Sequence, residues 1–148
     1  MALYGLQRMG DSPETRALVA ALTSKVAQCR EALGGQAVGN ALYGLQRMGD
    51  SPETRALLAA LTPKVAQCGE ALGAQEVGMA LYGLQRMSDS PETRALVAAL
   101  TAKVAQCGVA LGAKQVGNAL YGLQRMGDSL ETRELVEAVI DSIRFDKI

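Results

Sequence analysis

Three cysteines at equal spacing are the residues with the most evident chemistry in this chain. Cys29, Cys68 and Cys107 lie 39 residues apart, and the chain contains no histidine. Without histidine, most acid–base triads and most zinc sites lack a necessary member. Sulfurs at equivalent positions of neighbouring helices, roughly 8–10 Å apart, are also too distant to share one tetrahedral metal ion. We therefore predict a protein that is not an enzyme and binds no metal or cofactor, in which each cysteine packs as a small apolar residue.

Arginines and tyrosines recur at the same interval and offer binding chemistry instead. Two arginine columns are Arg16, Arg55, Arg94, Arg133 and Arg8, Arg47, Arg86, Arg125; the tyrosine column is Tyr4, Tyr43, Tyr82, Tyr121. A basic row can follow phosphates, and an aromatic row can stack on bases. Alternatively, the arginines form a solvated face with acidic partners such as Asp11, and the tyrosines fill a seam between helices. The 15 basic residues are balanced by 15 acidic ones, which excludes a strongly basic nucleic-acid clamp.

An internal repeat of 39 residues produces these columns. The string ALYGLQRM begins at Ala2, Ala41, Ala80 and Ala119. The repeats cover 2–40, 41–79 and 80–118, preceded by Met1 as the remnant of a partial copy and followed by a shorter copy over 119–148. A fixed period between about 20 and 50 residues is typical of solenoids. We predict an all-α fold, an αα-hairpin solenoid of 39-residue tandem repeats that forms a single domain over 1–148.

The first helix of each unit, helix A, has a clear start signal. Ser12 can cap the helix, Pro13 suits its first position, and Glu14 lies where the helix dipole favours a negative charge. An apolar stripe then continues to about Cys29. Pro63, inside the second copy of helix A, is expected to kink or split it.

The second helix, helix B, is predicted from about Gly35 to Met48. Gly49 follows, where a left-handed glycine would end the helix. Gly39 and Gly44 recur inside this helix despite their low helix propensity. Their recurrence predicts that a neighbouring backbone approaches closely at these positions.

The last copy differs in a way that predicts a cap. The columns of Ala17 and Ala20 become Glu134 and Glu137 there, as if small residues that face a following repeat had become charges that face water. The first helix carries no such change. This asymmetry predicts a monomer or a homodimer through the uncovered N-terminal helix.

The segment Gln36 to Gly49 resembles the second helix of octotricopeptide-type repeats, with Tyr43 at the position of that family's aromatic residue. The following Pro52-Glu53 and the Leu/Ala-rich stretch from Leu57 to Leu61 resemble the first helix of such units. The resemblance extends over nearly the whole chain. It implies an α-solenoid and, because characterised members act on organellar RNA, an RNA-binding role.

The few columns that vary among the copies are candidate ligand contacts. They cluster at the start of helix B, where positions three apart share a face, as a modular binder would require. Drift on a tolerant loop predicts the same pattern. The candidate ligand-binding residues are Gln36, Ala37, Asn40, Gln75, Glu76, Met79, Lys114, Gln115, Asn118 and, from the second arginine column, Arg47 and Arg86.

The sequence thus predicts a non-catalytic helical-repeat binding scaffold. Because the charge of the chain is balanced, the predicted ligand is a protein partner. Two alternatives remain: a modular single-stranded RNA-binding array, and a trimmed or engineered array whose main property is folding and self-assembly. No secretory signal or apolar run of roughly 18 residues is present, so no membrane association is predicted. An odd number of cysteines at equal spacing argues against a disulfide framework and predicts a reducing intracellular compartment, with organelle and cytosol both open.

Overall fold

The fold is all-helical over the residues that a computed structural model of the chain describes, which are 3–30, 33–107 and 111–144. In these ranges there is no β-strand, as expected for an all-α protein. A short N-terminal 3₁₀ helix spans Tyr4–Arg8. The α-helices that follow are α1 (Pro13–Gln28), α2 (Gly35–Tyr43), α3 (Pro52–Ala66), α4 (Ala74–Tyr82), α5 (Pro91–Ala105), α6 (Ala113–Gly122) and α7 (Leu130–Arg144).

The odd-numbered helices begin with the predicted serine cap. In α1, α3 and α5 the serine hydroxyl accepts a hydrogen bond of 3.1 Å from the backbone N–H three residues later, and a proline follows the serine. Ser129 makes the same 3.1 Å bond with Thr132 before α7. The bond satisfies an N–H group that has no partner within the helix. Four consecutive residues, beginning with the cap serine, therefore determine where each of these helices begins.

The helices form two rows. In the A row, α1, α3, α5 and α7 pack in that order, each on the next; in the B row, the 3₁₀ helix is followed by α2, α4 and α6. Helices of one row are therefore neighbours in space although a helix of the other row separates them in sequence. Each interior helix has one neighbour before it and one after it in its own row.

The core lies between the rows and along their junctions. Its interior residues come from both kinds of helix, and they include Leu61 at 1% exposure. The largest fully buried side chains are Leu6, Leu42, Leu45, Leu57, Leu58, Leu61, Leu72, Leu81, Leu84, Met87, Leu96 and Leu100. These are nearly all leucines, as expected for a chain with no tryptophan and one phenylalanine.

Two predictions about the end of helix B are wrong. The α-helix ends at Tyr43 and not near Met48, because hydrogen bonds three residues apart replace the four-residue pattern from Leu45 onward. The left-handed cap at Gly49 is also absent, since no described residue has a positive φ. The tightened final turn satisfies the carbonyls that such a cap would have served.

Pro63 does not split its helix. The helix α3 runs continuously from Pro52 to Ala66, and the carbonyl of Pro63 accepts a hydrogen bond from the N–H of Gln67. Because Pro63 is only three residues from the last residue of the helix, it removes a single late hydrogen bond.

Candidate interaction surface

The four tyrosines form one continuous stack along the B row. The ring centroids of Tyr4 and Tyr43 are 5.9 Å apart, those of Tyr43 and Tyr82 are 5.7 Å apart, and those of Tyr82 and Tyr121 are 5.4 Å apart. The interplanar angles are 21–25°, so each ring stacks on the next. The first three rings are half-buried and Tyr121 is exposed.

This spacing leaves no room for a base between two rings. An inserted base needs roughly 3.4 Å on each side, the rise of stacked bases, which is more than any of the observed separations allows. Glycines allow the backbones of neighbouring B-row helices to approach this closely. An ideal Cβ at Gly44, Gly83 or Gly122 would lie 1.7–1.8 Å from a leucine carbonyl oxygen of the preceding B-row helix. The predicted close approach at Gly44 is therefore present.

Two glutamines form hydrogen bonds with the backbone of tyrosines in the stack. The amide nitrogen of Gln46 donates to the carbonyl of Tyr43, and that of Gln85 donates to the carbonyl of Tyr82, both at 3.2 Å. These bonds fix the turn that follows each tyrosine. The side-chain amides of these two glutamines therefore stabilise the local backbone.

The first arginine column is paired with acidic residues of its own copy. Arg16 donates two hydrogen bonds to Asp11, at 2.8 and 2.9 Å, and Arg133 does the same to Asp128. These charge-assisted bonds lower the pKa of the carboxyls of Asp11 and Asp128 and raise the pKa of the two guanidinium groups. The other two pairs, Arg55–Asp50 and Arg94–Asp89, have closest approaches of 3.2 and 3.8 Å.

The second arginine column is exposed in the turns that follow the B-row helices, where Arg47 and Arg86 lie. One variable column is exposed as well, and it consists of Gln36, Gln75 and Lys114. Each of these residues lies seven positions before the tyrosine of its own helix, so it is on the same side of that helix. We call the tyrosine column and this variable column together the B-row surface.

The next variable column has a structural role that the sequence did not reveal. The carboxylate of Glu76 accepts a hydrogen bond of 3.1 Å from the N–H of Gly73, and Gln115 accepts one of 2.9 Å from Gly112. Both side chains therefore cap the start of their helix. Ala37 has no side-chain oxygen to accept such a bond. At α2 the carboxylate of Glu70 instead accepts a hydrogen bond of 2.7 Å from the N–H of Gly35.

The same column also sets the contact between neighbouring B-row helices. Atoms of Glu76 lie about 3.2 Å from an ideal Cβ at Gly39, and those of Gln115 lie about 3.3 Å from one at Gly78. Gly39 thus marks a close approach, as predicted. In the third variable column, Asn40 is buried, whereas Met79 and Asn118 are half-buried. Of the candidate residues, five are therefore exposed: Gln36, Gln75, Lys114, Arg47 and Arg86.

A column of lysines that the sequence did not single out connects neighbouring helices of the A row. Lys64 donates to the backbone carbonyl of Cys29, and Lys103 donates to that of Cys68. Lys103 is 6% exposed, which is unusual for a lysine. The interval between donor and acceptor is 35 residues, so only the packing of one copy on the next brings them together.

The acidic residues of α7 do not replace residues at a repeat junction. Ala56, Ala59, Ala95 and Ala98 are exposed although they belong to interior copies. Their column therefore lies on the solvent side of the A row, and Glu134 and Glu137 occupy that same side. The interpretation of these two residues as a cap over the stacking face is wrong, because the sequence alone did not show which side of the stripe a neighbour covers.

The cysteines differ in burial along the row. Cys29 is exposed, Cys68 is buried and Cys107 is intermediate. Among the described residues no group of three or more metal-ligating side chains is close enough to hold an ion. No helix in the described part of the chain has the length and apolar character needed to cross a membrane.

Comparison with known proteins adds no family to this description. No protein-family model matches the chain, and no curated protein or solved structure matches it significantly.

Proposed function

We propose that this protein is a non-catalytic scaffold, an α-solenoid of 39-residue repeats that binds a protein partner through the B-row surface. The observation that carries the proposal is the continuous stack of four tyrosines, three of them half-buried, beside the exposed column of Gln36, Gln75 and Lys114. Tyrosine is enriched at protein interfaces because it offers a large rigid area with a polar tip. A constant aromatic row beside variable polar side chains is suited to a partner that lies along the array.

Charge supports a protein over a nucleic acid as the ligand. The first arginine column is neutralised by aspartates of the same copies, and the chain has no net charge. Binding of single strands relies on a positive groove with bases stacked on aromatic rings. Here the rings stack on each other at 5.4–5.9 Å.

Single-stranded RNA is the second candidate, and the exposure of Arg47 and Arg86 favours it. These side chains lie in the turns after the B-row helices, where they would reach phosphates of a strand on that row. The octotricopeptide-like pattern points the same way. A third candidate is an array whose main property is folding and self-assembly.

Site-specific photo-crosslinking separates the three candidates. A benzoylphenylalanine is placed at Gln75 on the B-row surface or, as the matched control, at Ala59 on the solvent side of the A row. Each variant is irradiated in extract of the source cells. We expect a discrete adduct from position 75 that protease removes and ribonuclease leaves unchanged, and none from position 59. A ribonuclease-sensitive adduct would favour RNA, and adducts only between copies of the chain would favour self-assembly.

A further inference from the structure

Every interior junction of the B row repeats one backbone contact. The carbonyl of Leu3 faces Gly44, that of Leu42 faces Gly83, and the carbonyl of Leu81 faces Gly122 in the same way. The leucine side of this contact points towards the following copy, and the glycine side points towards the preceding one. The two ends of the described stack therefore carry opposite halves of the contact.

The N-terminal end carries an open glycine half. No atom of the described residues lies within 4 Å of an ideal Cβ at Gly5, the first member of the glycine column. Beside it is an open apolar cavity of about 280 Å³, lined by Leu3, Leu22, Val26 and Leu33 among others. In the A row, Leu18 is 40% exposed, whereas its equivalents in α3 and α5 are fully buried by the preceding helix.

The C-terminal end carries the open leucine half. Leu120 is 57% exposed, whereas its equivalents Leu42 and Leu81 are 1% and 0% exposed because a B-row helix covers them. In the part of the chain that the structure describes, no atom lies within 4 Å of an ideal Cβ at Gly117, although Gly39 and Gly78 are each covered by a side chain of the next helix. Ile140 of α7 is also exposed at this end.

We propose that a second copy of this chain is the occupant of these faces, and that the C-terminal end of one molecule docks on the N-terminal end of the next. The interior junctions supply the geometry: Leu120 would take the place that Leu81 has against Gly122, with Gly5 as its partner. The acidic residues Glu134 and Glu137 do not oppose this contact, since their column lies on the solvent side of the A row. This property is separate from the binding of a partner on the B-row surface.

Charge at the A-row ends agrees with the same direction of docking. In an interior junction, Arg55 lies 4.0 Å from Glu92 of the following copy. At a junction between molecules the equivalent residues are Arg133 of one and Glu14 of the next, which have opposite charges. An N-terminal-to-N-terminal dimer would instead place Gly5 of one molecule against Gly5 of the other. It would leave Leu120 of both molecules uncovered. Because head-to-tail contacts are heterologous, they produce open chains unless the geometry closes a ring.

Two variants that block opposite ends test the proposal. Gly5→Ala places a methyl group where the carbonyl of Leu120 would lie, and Leu120→Glu places a charge on the other face. Neither position is covered in the single molecule, so both variants should keep the circular dichroism of the parent. Gly69→Ala is the matched control, because no atom of residues 3–30, 33–107 or 111–144 lies within 4 Å of its ideal Cβ and it belongs to neither end.

Sedimentation velocity over a range of concentrations gives the readout. The parent chain and Gly69→Ala should rise beyond dimer from the monomer mass of 15.5 kDa, whereas each blocked variant alone should remain monomeric. A mixture of Gly5→Ala and Leu120→Glu should form a heterodimer and nothing larger, since only one compatible pair of ends remains. A parent chain that stays monomeric up to sub-millimolar concentration, or a Leu120→Glu variant that still dimerises alone, would overturn the proposal.

Discussion

Gly83→Ala is expected to destabilise the protein strongly through a single methyl group. The new Cβ would lie 1.8 Å from the carbonyl oxygen of Leu42 and 2.9 Å from the nitrogen of Tyr43. To reach an ordinary contact of 3.4 Å, α2 and α4 would have to separate by about 1.6 Å. A gap of that size removes a large share of the dispersion energy along the junction.

The opposing atoms belong to the backbone, so no side-chain rotation can relieve the clash. Overpacking typically costs about 1–3 kcal/mol, and a rigid backbone contact favours the upper end. A loss of about 3 kcal/mol lowers Tm by about 6–12 °C in a chain of this size.

Thermal unfolding followed by circular dichroism at low protein concentration measures this shift. Gly5→Ala is the matched control, because it is the same substitution in the same column and no described atom lies within 4 Å of its ideal Cβ. Its Tm should change by no more than about 2 °C, as for most surface substitutions. Equal Tm values for Gly83→Ala and Gly5→Ala would refute the close approach of the B-row backbones.

Three further perturbations test other parts of the structure. Leu61→Ala removes a core side chain that is 1% exposed and should lower the free energy of unfolding by about 2–5 kcal/mol in a denaturant titration. Leu22→Ala, at the half-buried equivalent position, should lower that free energy by less. Lys103→Met leaves the carbonyl of Cys68 without its lysine donor and should lower that free energy by about 1–3 kcal/mol, while Lys25→Met, at an exposed position, should have no measurable effect. The lowered pKa values of Asp11 and Asp128 mean that their stabilising contribution is present above the unfolded value of about 3.9 and is lost as the pH falls through the folded values. Asp11→Asn combined with Asp128→Asn should therefore reduce the loss of Tm in that acidic range, and an unchanged pH profile would show that the pairs contribute nothing.

The sequence predicts the local features of this fold well. The serine caps at Ser12 and its equivalents form within four residues of chain, so their signal is complete in the sequence. Gly39 and Gly44 could be assigned to close approaches because they recur against helix propensity. Leu61 could be placed in the core from the apolar stripe alone.

Features that depend on the neighbouring copy could not be predicted in the same way. The bond from Lys103 to the carbonyl of Cys68 joins residues 35 apart, and nothing in either short segment signals it. The capping role of Glu76 could not be predicted from its column, because variation among copies is also what ligand contact would produce. The side of the A row on which Glu134 lies depends on the direction of stacking, which the apolar stripe does not specify.

We propose that a protein partner binds the tyrosine row, because the spacing of the rings leaves no room for an RNA base between them. All four tyrosines belong to the row and the chain has no tryptophan, so intrinsic fluorescence reports on the row alone. The most direct measurement is a titration of the chain with single-stranded RNA of random sequence at about 0.15 M ionic strength. We expect no saturable change in tyrosine fluorescence. Saturable quenching that Arg47→Ala and Arg86→Ala weaken, with a smaller salt dependence, would contradict it and assign the row to RNA.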